Sequence, residues 1–263
     1  ETRKENDRAL LISATGTGKT YLSAFDVKQA KAKKILFVAH RKVILERSKI
    51  SYQRILKNKK MEIFDNNFQI NGKDEVVFAM VQTLNKEKNL NVFPKDYFDY
   101  IIIDEVHHGG AKTYQSIFEY FKPKFLLGIT ATPERTDDFN IYQLFNYNVA
   151  YEIRLQDAMK EELLCPFHYF GINDYLVDYS KIPYRNGKYD EEKLLENLML
   201  NRRTDYIVEK IKKFGFDGDK LSSVAFCQNI EHAFFMKEEF ILKLFEKFEK
   251  GDAVVLQIKQ DDC

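Results

Sequence analysis

Short apolar runs rich in β-branched and aromatic residues alternate along the chain with longer stretches that carry apolar residues at helical spacing. This alternation is typical of βαβ units, in which crossover helices join buried parallel strands. Strands are predicted at 10–13, 35–39, 76–80, 100–103 and 125–130, all as short as buried parallel strands usually are. The pattern therefore predicts an α/β fold around a central parallel sheet.

Helices are predicted between these strands at 19–31 and 42–56, and in the second of them Ile44, Ser48 and Tyr52 share one face. Later segments extend the alternation: helices at 142–145, 155–162, 201–214 and 230–250, strands at 166–169, 222–227 and 253–257, and a loop at 180–189. We therefore divide the chain into a first domain at 1–165, a connecting segment at 166–200 and the incomplete start of a second α/β domain at 201–263.

The segment from Ser13 to Thr20 reads Ser-Ala-Thr-Gly-Thr-Gly-Lys-Thr and joins a predicted strand to a predicted helix. That context is the one in which a P-loop binds phosphates. Two glycines let successive backbone N–H groups face the phosphate oxygens, and the helix start adds a partial positive charge. The residues predicted to bind the nucleotide are Thr15, Gly16, Thr17, Gly18, Lys19 and Thr20. Among them, Lys19 is expected to contact the β and γ phosphates, and the Thr20 hydroxyl is expected to bind Mg²⁺. Ser13 departs from the usual first glycine.

Two acids, Asp104 and Glu105, directly follow a predicted buried strand. Ligands of open α/β sheets bind at this carboxyl edge. We expect Asp104 to hold Mg²⁺ and Glu105 to orient and polarise the water that attacks ATP. His107 is interpreted as a link between the γ-phosphate site and other motifs, because the neighbouring His107 and His108 lack further ligands at zinc-site spacing.

Composition narrows the class of protein only slightly. The chain has 41 basic and 40 acidic residues, so its net charge indicates no particular partner. Three widely spaced cysteines and the lack of a long apolar run favour a reduced, cytoplasmic protein without a membrane span.

Several motifs in a fixed order make the sequence resemble superfamily 2 helicases of the D-E-x-H branch, and most of all the bacterial helicases allied to the type I and III restriction enzyme motors. The segments that carry the resemblance are 13–20 (motif I), 38–41 (Ia), 78–84 (Ib), 104–107 (II), 130–133 (III) and 224–233 (IV). The resemblance implies two RecA-like domains, of which the second is only begun here. It also implies that Thr130 and Thr132 couple phosphate sensing to domain movement.

Contacts to nucleic acid are expected from motifs Ia and Ib. His40 and Arg41 follow a strand at the same sheet edge as the P-loop, and the resemblance places Gln82 and Thr83 along the bound strand. The stretch 28–60 carries twelve basic residues and one acid, which is suited either to phosphate tracking or simply to solvation of helix ends. The expected partner is nucleic acid, DNA rather than RNA, held through its backbone.

The predicted function is an ATP-dependent helicase or translocase motor fragment, with ATP and Mg²⁺ as cofactors. Because no arginine follows Arg203, the late motifs that reach the γ-phosphate are expected to be missing and the fragment to hydrolyse ATP weakly. Relatives of this kind can carry fused nuclease and accessory domains outside the chain. A P-loop ATPase of another class, or a nucleotide-binding scaffold without catalysis, remains the alternative.

Overall fold

A computed structural model describes residues 5–65, 68–70, 75–107, 112–134, 140–215 and 223–244. The chain separates into two compact units, Glu1–Pro166 and Phe167–Cys263. The predicted borders of the domains, at 165 and 200, stay predictions because the division into units does not establish which functional domain each one is.

The first unit is built around a seven-stranded sheet in the order β3-β4-β2-β5-β6-β1-β7, in which every neighbouring pair is parallel. Its strands are β1 Arg8–Ser13, β2 Lys34–Ala39, β3 Lys60–Ile63, β4 Glu75–Met80, β5 Tyr100–Asp104, β6 Phe125–Thr130 and β7 Val149–Ile153. Its helices are α1 Lys19–Ala30, α2 Lys42–Ile55, α3 Val81–Leu84, α4 Glu87–Leu90, α5 Lys112–Tyr120, α6 Ile141–Leu144 and α7 Leu155–Lys160. This confirms the predicted α/β class.

Both faces of the sheet are covered by apolar side chains. On one face, residues such as Ile102 pack with Val27 of α1 and Leu45 of α2, and on the other Ile101 packs with Ile117 of α5. Alternate residues of one strand thus enter different cores, which explains why the strands are continuous apolar runs instead of alternating patterns. Gly128 of β6 is required by this packing, because a Cβ there would lie 2.3 Å from Cζ of Phe145.

The described part of the second unit holds a 3₁₀ turn, a two-stranded hairpin and three helices. Its elements are the turn Tyr179–Lys181, β8 Tyr184–Arg185, β9 Lys188–Tyr189, α8 Glu191–Leu198, α9 Asn201–Phe214 and α10 Ile230–Leu244. A small core of Val177, Ile182, Leu194 and Leu198 holds the hairpin base against α8. Within the described ranges, no helix is both long and apolar enough to cross a membrane.

The structure bears out the five predicted strands of the first unit, adds two strands that were not predicted and corrects three other predictions. The edge strands β3 and β7 were not predicted, because they are short and only partly buried. Residues 166–169 form no strand, and neither do residues 223–227, where Val224 is 71% and Phe226 95% exposed. The predicted loop at 180–189 contains the β8–β9 hairpin. The predicted strand at 253–257 and the end of the helix at 245–250 lie outside the described residues.

Those errors share a physical reason. An apolar run becomes a buried strand only where neighbouring strands can pair with it and helices can cover it. In the first unit such neighbours exist on either side of each predicted strand. In the described part of the second unit no strand pairs with 166–169 or 223–227.

Candidate active site

The candidate active site lies where three neighbouring strands end. Because β5, β6 and β1 are adjacent and parallel, their last residues, Asp104, Thr130 and Ser13, come to the same edge of the sheet. This edge is where open α/β sheets bind ligands. Segments far apart in the sequence therefore place their polar side chains at one edge of the sheet.

The loop between β1 and α1 is shaped by its glycines and by hydroxyl hydrogen bonds. Gly16 and Gly18 have φ angles of 92° and 86°, which other residues adopt only with strain. The Ser13 and Thr17 hydroxyl oxygens lie 2.5 Å apart, and the Thr17 hydroxyl donates to the carbonyl of Ala14 at 2.7 Å. Ser13 therefore braces the loop, which a glycine at that position could not do.

Lys19 begins α1, whose N-cap residue, Gly18, offers no capping side chain. The first N–H groups of the helix are thus available to an anion. The Lys19 side chain is only 12% exposed, its Nζ lies 3.7 Å from Oε1 of Glu105, and Nζ has no hydrogen-bond partner within the described residues. A buried ammonium with unmet hydrogen bonds is a group that an anionic ligand would satisfy.

Asp104 and Glu105 are adjacent, yet their pKa values shift in opposite directions. Burial, followed by repulsion from Glu105, raises the pKa of Asp104 to about 6. A hydrogen bond from His107 lowers the pKa of Glu105, and the charge of Lys19 acts in the same direction. Glu105 also has a φ of 50°, an uncommon backbone conformation for a residue with a side chain. The two acids are thus suited to different tasks.

His107 joins the acids to the end of β6. Its Nδ1 lies 3.2 Å from Oε2 of Glu105 and 3.0 Å from the hydroxyl oxygen of Thr130, so one N–H can be shared between the two. The fully buried Thr130 hydroxyl in turn accepts a hydrogen bond from the Thr132 N–H at 3.1 Å. Polar contacts therefore run without a break from Glu105 to the segment after β6.

The four residues expected to touch nucleic acid are not all alike. Gln82 donates from its side chain to the carbonyl of His40 at 3.1 Å, which connects the ends of β4 and β2. The His40 ring is half-buried, and burial is the main cause of its lowered pKa, with Glu105 acting in the opposite direction. His40 thus lies near Glu105 as well, while Arg41 and Gln82 are exposed and Thr83 is partly buried.

Sequence reasoning missed several residues of this edge. Arg154, just after β7, makes a two-pronged ion pair with Glu134, at 2.7 and 2.9 Å, and so fixes the segment that follows Thr132. The Tyr114 hydroxyl is buried without a hydrogen-bond partner within the described residues, and burial, with added repulsion from the two acids, raises its pKa to about 12. Only the Glu134 position, directly after Pro133, could have drawn attention in the sequence.

A glycine loop at a helix start, a buried lysine and two acids at the end of a nearby strand form the arrangement of P-loop nucleotide hydrolases. Within that class, the polar connection from Glu105 through His107 to Thr130 links the acids with the end of β6. It fits the order of motifs on which the resemblance to helicases rests.

Comparisons with known proteins agree with this class. The family model described as type III restriction enzyme, res subunit, matches residues 1–135. The chain therefore belongs to the type III restriction enzyme res-subunit family. The match includes the loop, the acids and the end of β6.

The relatives span restriction enzymes and helicases. The chain is 26% identical to the type I restriction enzyme EcoAI endonuclease subunit of Escherichia coli, over 97% of this chain and 34% of that protein. It is 30% identical to a protein assigned as an ATP-dependent RNA helicase in Acanthamoeba polyphaga mimivirus, over 82% of this chain and 41% of that protein. The chain thus spans about a third to two fifths of the length of these relatives.

The fold also matches a solved structure. A fragment assigned as the HsdR subunit of a type I restriction enzyme from Vibrio vulnificus superposes with a TM-score of 0.59 at 22% identity. The match covers 93% of this chain and 44% of that one. It supports the RecA-like fold expected from the resemblance.

Proposed function

We propose that this chain binds ATP with Mg²⁺ at the edge formed by β1, β5 and β6, hydrolyses it with Glu105, and uses the hydrolysis to act on a nucleic acid strand. The observation that carries the proposal is the convergence of Lys19, Glu105 and His107 within hydrogen-bond or ion-pair distance at the carboxyl ends of β1 and β5, the two neighbours of β6. Family membership alone would not position these groups.

Phosphate binding is assigned to the loop from Thr15 to Thr20. The N–H groups at the start of α1 and the ammonium of Lys19 would contact the β and γ phosphates. Since the Lys19 ammonium has no hydrogen bond within the described residues, phosphate oxygens would supply the partners that it lacks. The 3.7 Å contact with Glu105 is long enough to be exchanged for them.

Thr20 and Asp104 fit a magnesium ion. Asp104 is a buried carboxylate whose pKa is raised by burial and by Glu105, so a divalent cation beside it would favour the ionised form. Bound there, Mg²⁺ would neutralise charge that develops on the phosphates. The Thr20 hydroxyl and the Asp104 carboxylate offer the oxygen ligands that this ion prefers.

Glu105 is assigned to the attacking water. The new bond joins the water oxygen to the γ-phosphorus while the bond from that phosphorus to the bridging oxygen breaks. Because the pKa of Glu105 is lowered, its carboxylate stays ionised and acts chiefly by orienting and polarising the water. His107 positions the carboxylate, and Thr130 and Thr132 would transmit loss of the γ-phosphate along the segment that Arg154 fixes.

Nucleic acid, DNA rather than RNA, is the proposed partner. Arg41 and Gln82 are exposed at the same sheet edge as the acids, at the ends of two further strands, and can meet backbone phosphates. The similarity to a type I restriction enzyme subunit favours DNA. A scaffold without catalysis is less well supported, because Lys19 and Glu105 are both present and meet each other.

ATP hydrolysis with and without DNA tests the proposal. We expect hydrolysis by the chain to rise when single-stranded or double-stranded DNA is added at low salt, and the rise to shrink at moderate salt. Arg41→Ala should weaken the stimulation of hydrolysis by DNA. Arg47→Ala, within α2, removes the same positive charge at another position and serves as the control. Hydrolysis that is indifferent to every nucleic acid would reject the partner, and nucleotide binding without any hydrolysis would favour the scaffold.

A further inference from the structure

The β8–β9 hairpin has two residues in each strand and two in its turn. Tyr184 pairs with Tyr189 and Arg185 with Lys188, and Asn186 and Gly187 form the two-residue turn. Both turn residues have positive φ, 51° and 79°, as the tight turn of type I′ requires. The backbone of the tip is therefore fixed by its sequence.

The hairpin has a firm base and an exposed tip. Ile182 and Val177 are buried with two leucines of α8, and the Asp190 N–H closes the base by donating to the Pro183 carbonyl at 2.8 Å. Beyond the base, every residue from Pro183 to Asp190 is exposed. An isolated hairpin gains little stability in water, so packing of the base must hold the tip in place.

The tip side chains do not serve the stability of the hairpin. Arg185 and Lys188 are directly opposed, a placement in which like charges repel, and neither forms an ion pair with an acid of the described residues. By contrast, the nearby Lys181 is paired with Asp178 at 3.0 Å. An unneutralised cation pair on a rigid turn is complementary to an anionic partner.

Aromatic rings accompany these charges. Tyr184 and Tyr189 are 60% and 41% exposed, and their ring centroids are 4.8 Å apart in an edge-to-face arrangement. Tyr179 lies beside Tyr189, with ring centroids 6.0 Å apart. Exposed ring faces are what unpaired bases stack on, and such stacking tolerates any sequence.

We infer that the β8–β9 hairpin is a second nucleic-acid contact, which holds a single strand through its backbone phosphates on Arg185 and Lys188 and through base stacking on Tyr184 and Tyr189. The inference rests on the proposed action on nucleic acid but concerns residues outside all the sequence motifs. A duplex hides its base faces, so the hairpin prefers a single strand.

Binding of a fluorescein-labelled oligothymidylate, measured by anisotropy over a series of salt concentrations, tests the inference. In Arg185→Ala/Lys188→Ala, the slope of log affinity against log salt should become shallower by about 1.4, since each phosphate contact on a single strand contributes about 0.7. In Tyr184→Ala/Tyr189→Ala, affinity should fall about tenfold or more with the slope unchanged. Tyr184→Phe/Tyr189→Phe keeps the rings and should restore binding.

A matched control is Lys181→Ala/Lys193→Ala, which removes two cations of the same unit that are already paired with acids. It should leave the salt slope unchanged. Melting temperature and ATP binding check that each variant is folded.

The outcomes separate the two proposals. If the unaltered chain binds the strand but the hairpin variants bind it like the control, the hairpin inference is overturned and the proposed function stands. If the unaltered chain binds no nucleic acid, both fail. If the phenylalanine pair does not restore binding, the tyrosine hydroxyls carry the contact and stacking is rejected.

Discussion

The two units of the chain use apolar residues in opposite ways. In the first, β5 and its neighbours are buried on both faces, and the sheet fixes polar groups only where the strands end. In the second, four side chains form the core around the hairpin base, while Phe226 and a row of tyrosines are exposed. The sheet of the first unit thus positions the catalytic side chains, whereas the second unit exposes aromatic side chains on its surface.

The largest difference is expected in catalysis. Glu105→Gln should lower ATP hydrolysis about 100-fold or more, because an amide cannot polarise the attacking water as a carboxylate does. Glu196→Gln, on α8 of the second unit, removes an acid whose partner among the described residues is Lys193, and should leave the rate unchanged. Steady-state phosphate release measures both. Equal rates for the unaltered chain and Glu105→Gln would mean that ATP is not hydrolysed at this edge of the sheet.

The two units should also differ in how much a substitution of an apolar residue lowers the free energy of unfolding. Ile102→Ala deletes a fully buried side chain of β5 and should lower the free energy of unfolding by roughly 2–5 kcal/mol. Phe226→Ala, at a side chain that is 95% exposed, should change it by less than about 0.5 kcal/mol. Urea denaturation supplies the comparison. A large loss from Phe226→Ala would mean that this segment is buried in solution.

Burial of Asp104 in the first unit should make the stability of the chain depend on pH. Its pKa is raised in the folded chain from 3.8 to about 6, so its contribution to stability is complete below the unfolded value and lost as the pH rises through about 6. Asp104→Asn should therefore match the unaltered chain near pH 4 and become more stable by up to roughly 3 kcal/mol at pH 7. Unfolding free energies without metal should be compared across this range. A difference that does not vary with pH would contradict the burial of an ionised Asp104.

Gly128→Ala should have a smaller effect. The added methyl group would overlap the ring of Phe145, which should lower the free energy of unfolding by about 1–3 kcal/mol. Combining it with Phe145→Leu should recover part of the loss, whereas Gly171→Ala has open space and serves as the control. Thermal unfolding ranks the three variants by stability. An unchanged stability of Gly128→Ala would show that the Phe145 ring can move aside.

The sequence predicted the first unit well because its signals are local and agree with the packing. A strand such as β5 is apolar throughout and ends in two acids, so burial and site follow from the same few residues. Residues 223–227 carry a similar apolar signal, yet no strand in the described residues pairs with them. The local pattern alone cannot distinguish the two.

Within the candidate site, the sequence could nominate residues but not the contacts between them. Lys19 and Glu105 could be named from their motifs, but their 3.7 Å contact depends on a strand order that the sequence pattern does not give. The left-handed backbone of Glu105 and the Arg154–Glu134 pair depend on tertiary contacts between segments distant in sequence. Ser13, a departure in the sequence, acquires a reason only from its contact with Thr17.

ATP binding in the presence of Mg²⁺ tests most directly whether this edge of the sheet binds the nucleotide. Lys19→Ala and Lys28→Ala each remove one lysine from α1, at its first and last turn, and binding of a fluorescent ATP analogue should be compared between them. We expect Lys19→Ala to weaken binding about tenfold or more, the effect of losing a charge-assisted phosphate contact, and Lys28→Ala to bind like the unaltered chain. Unchanged affinity in Lys19→Ala would mean that this edge of the sheet does not bind the nucleotide.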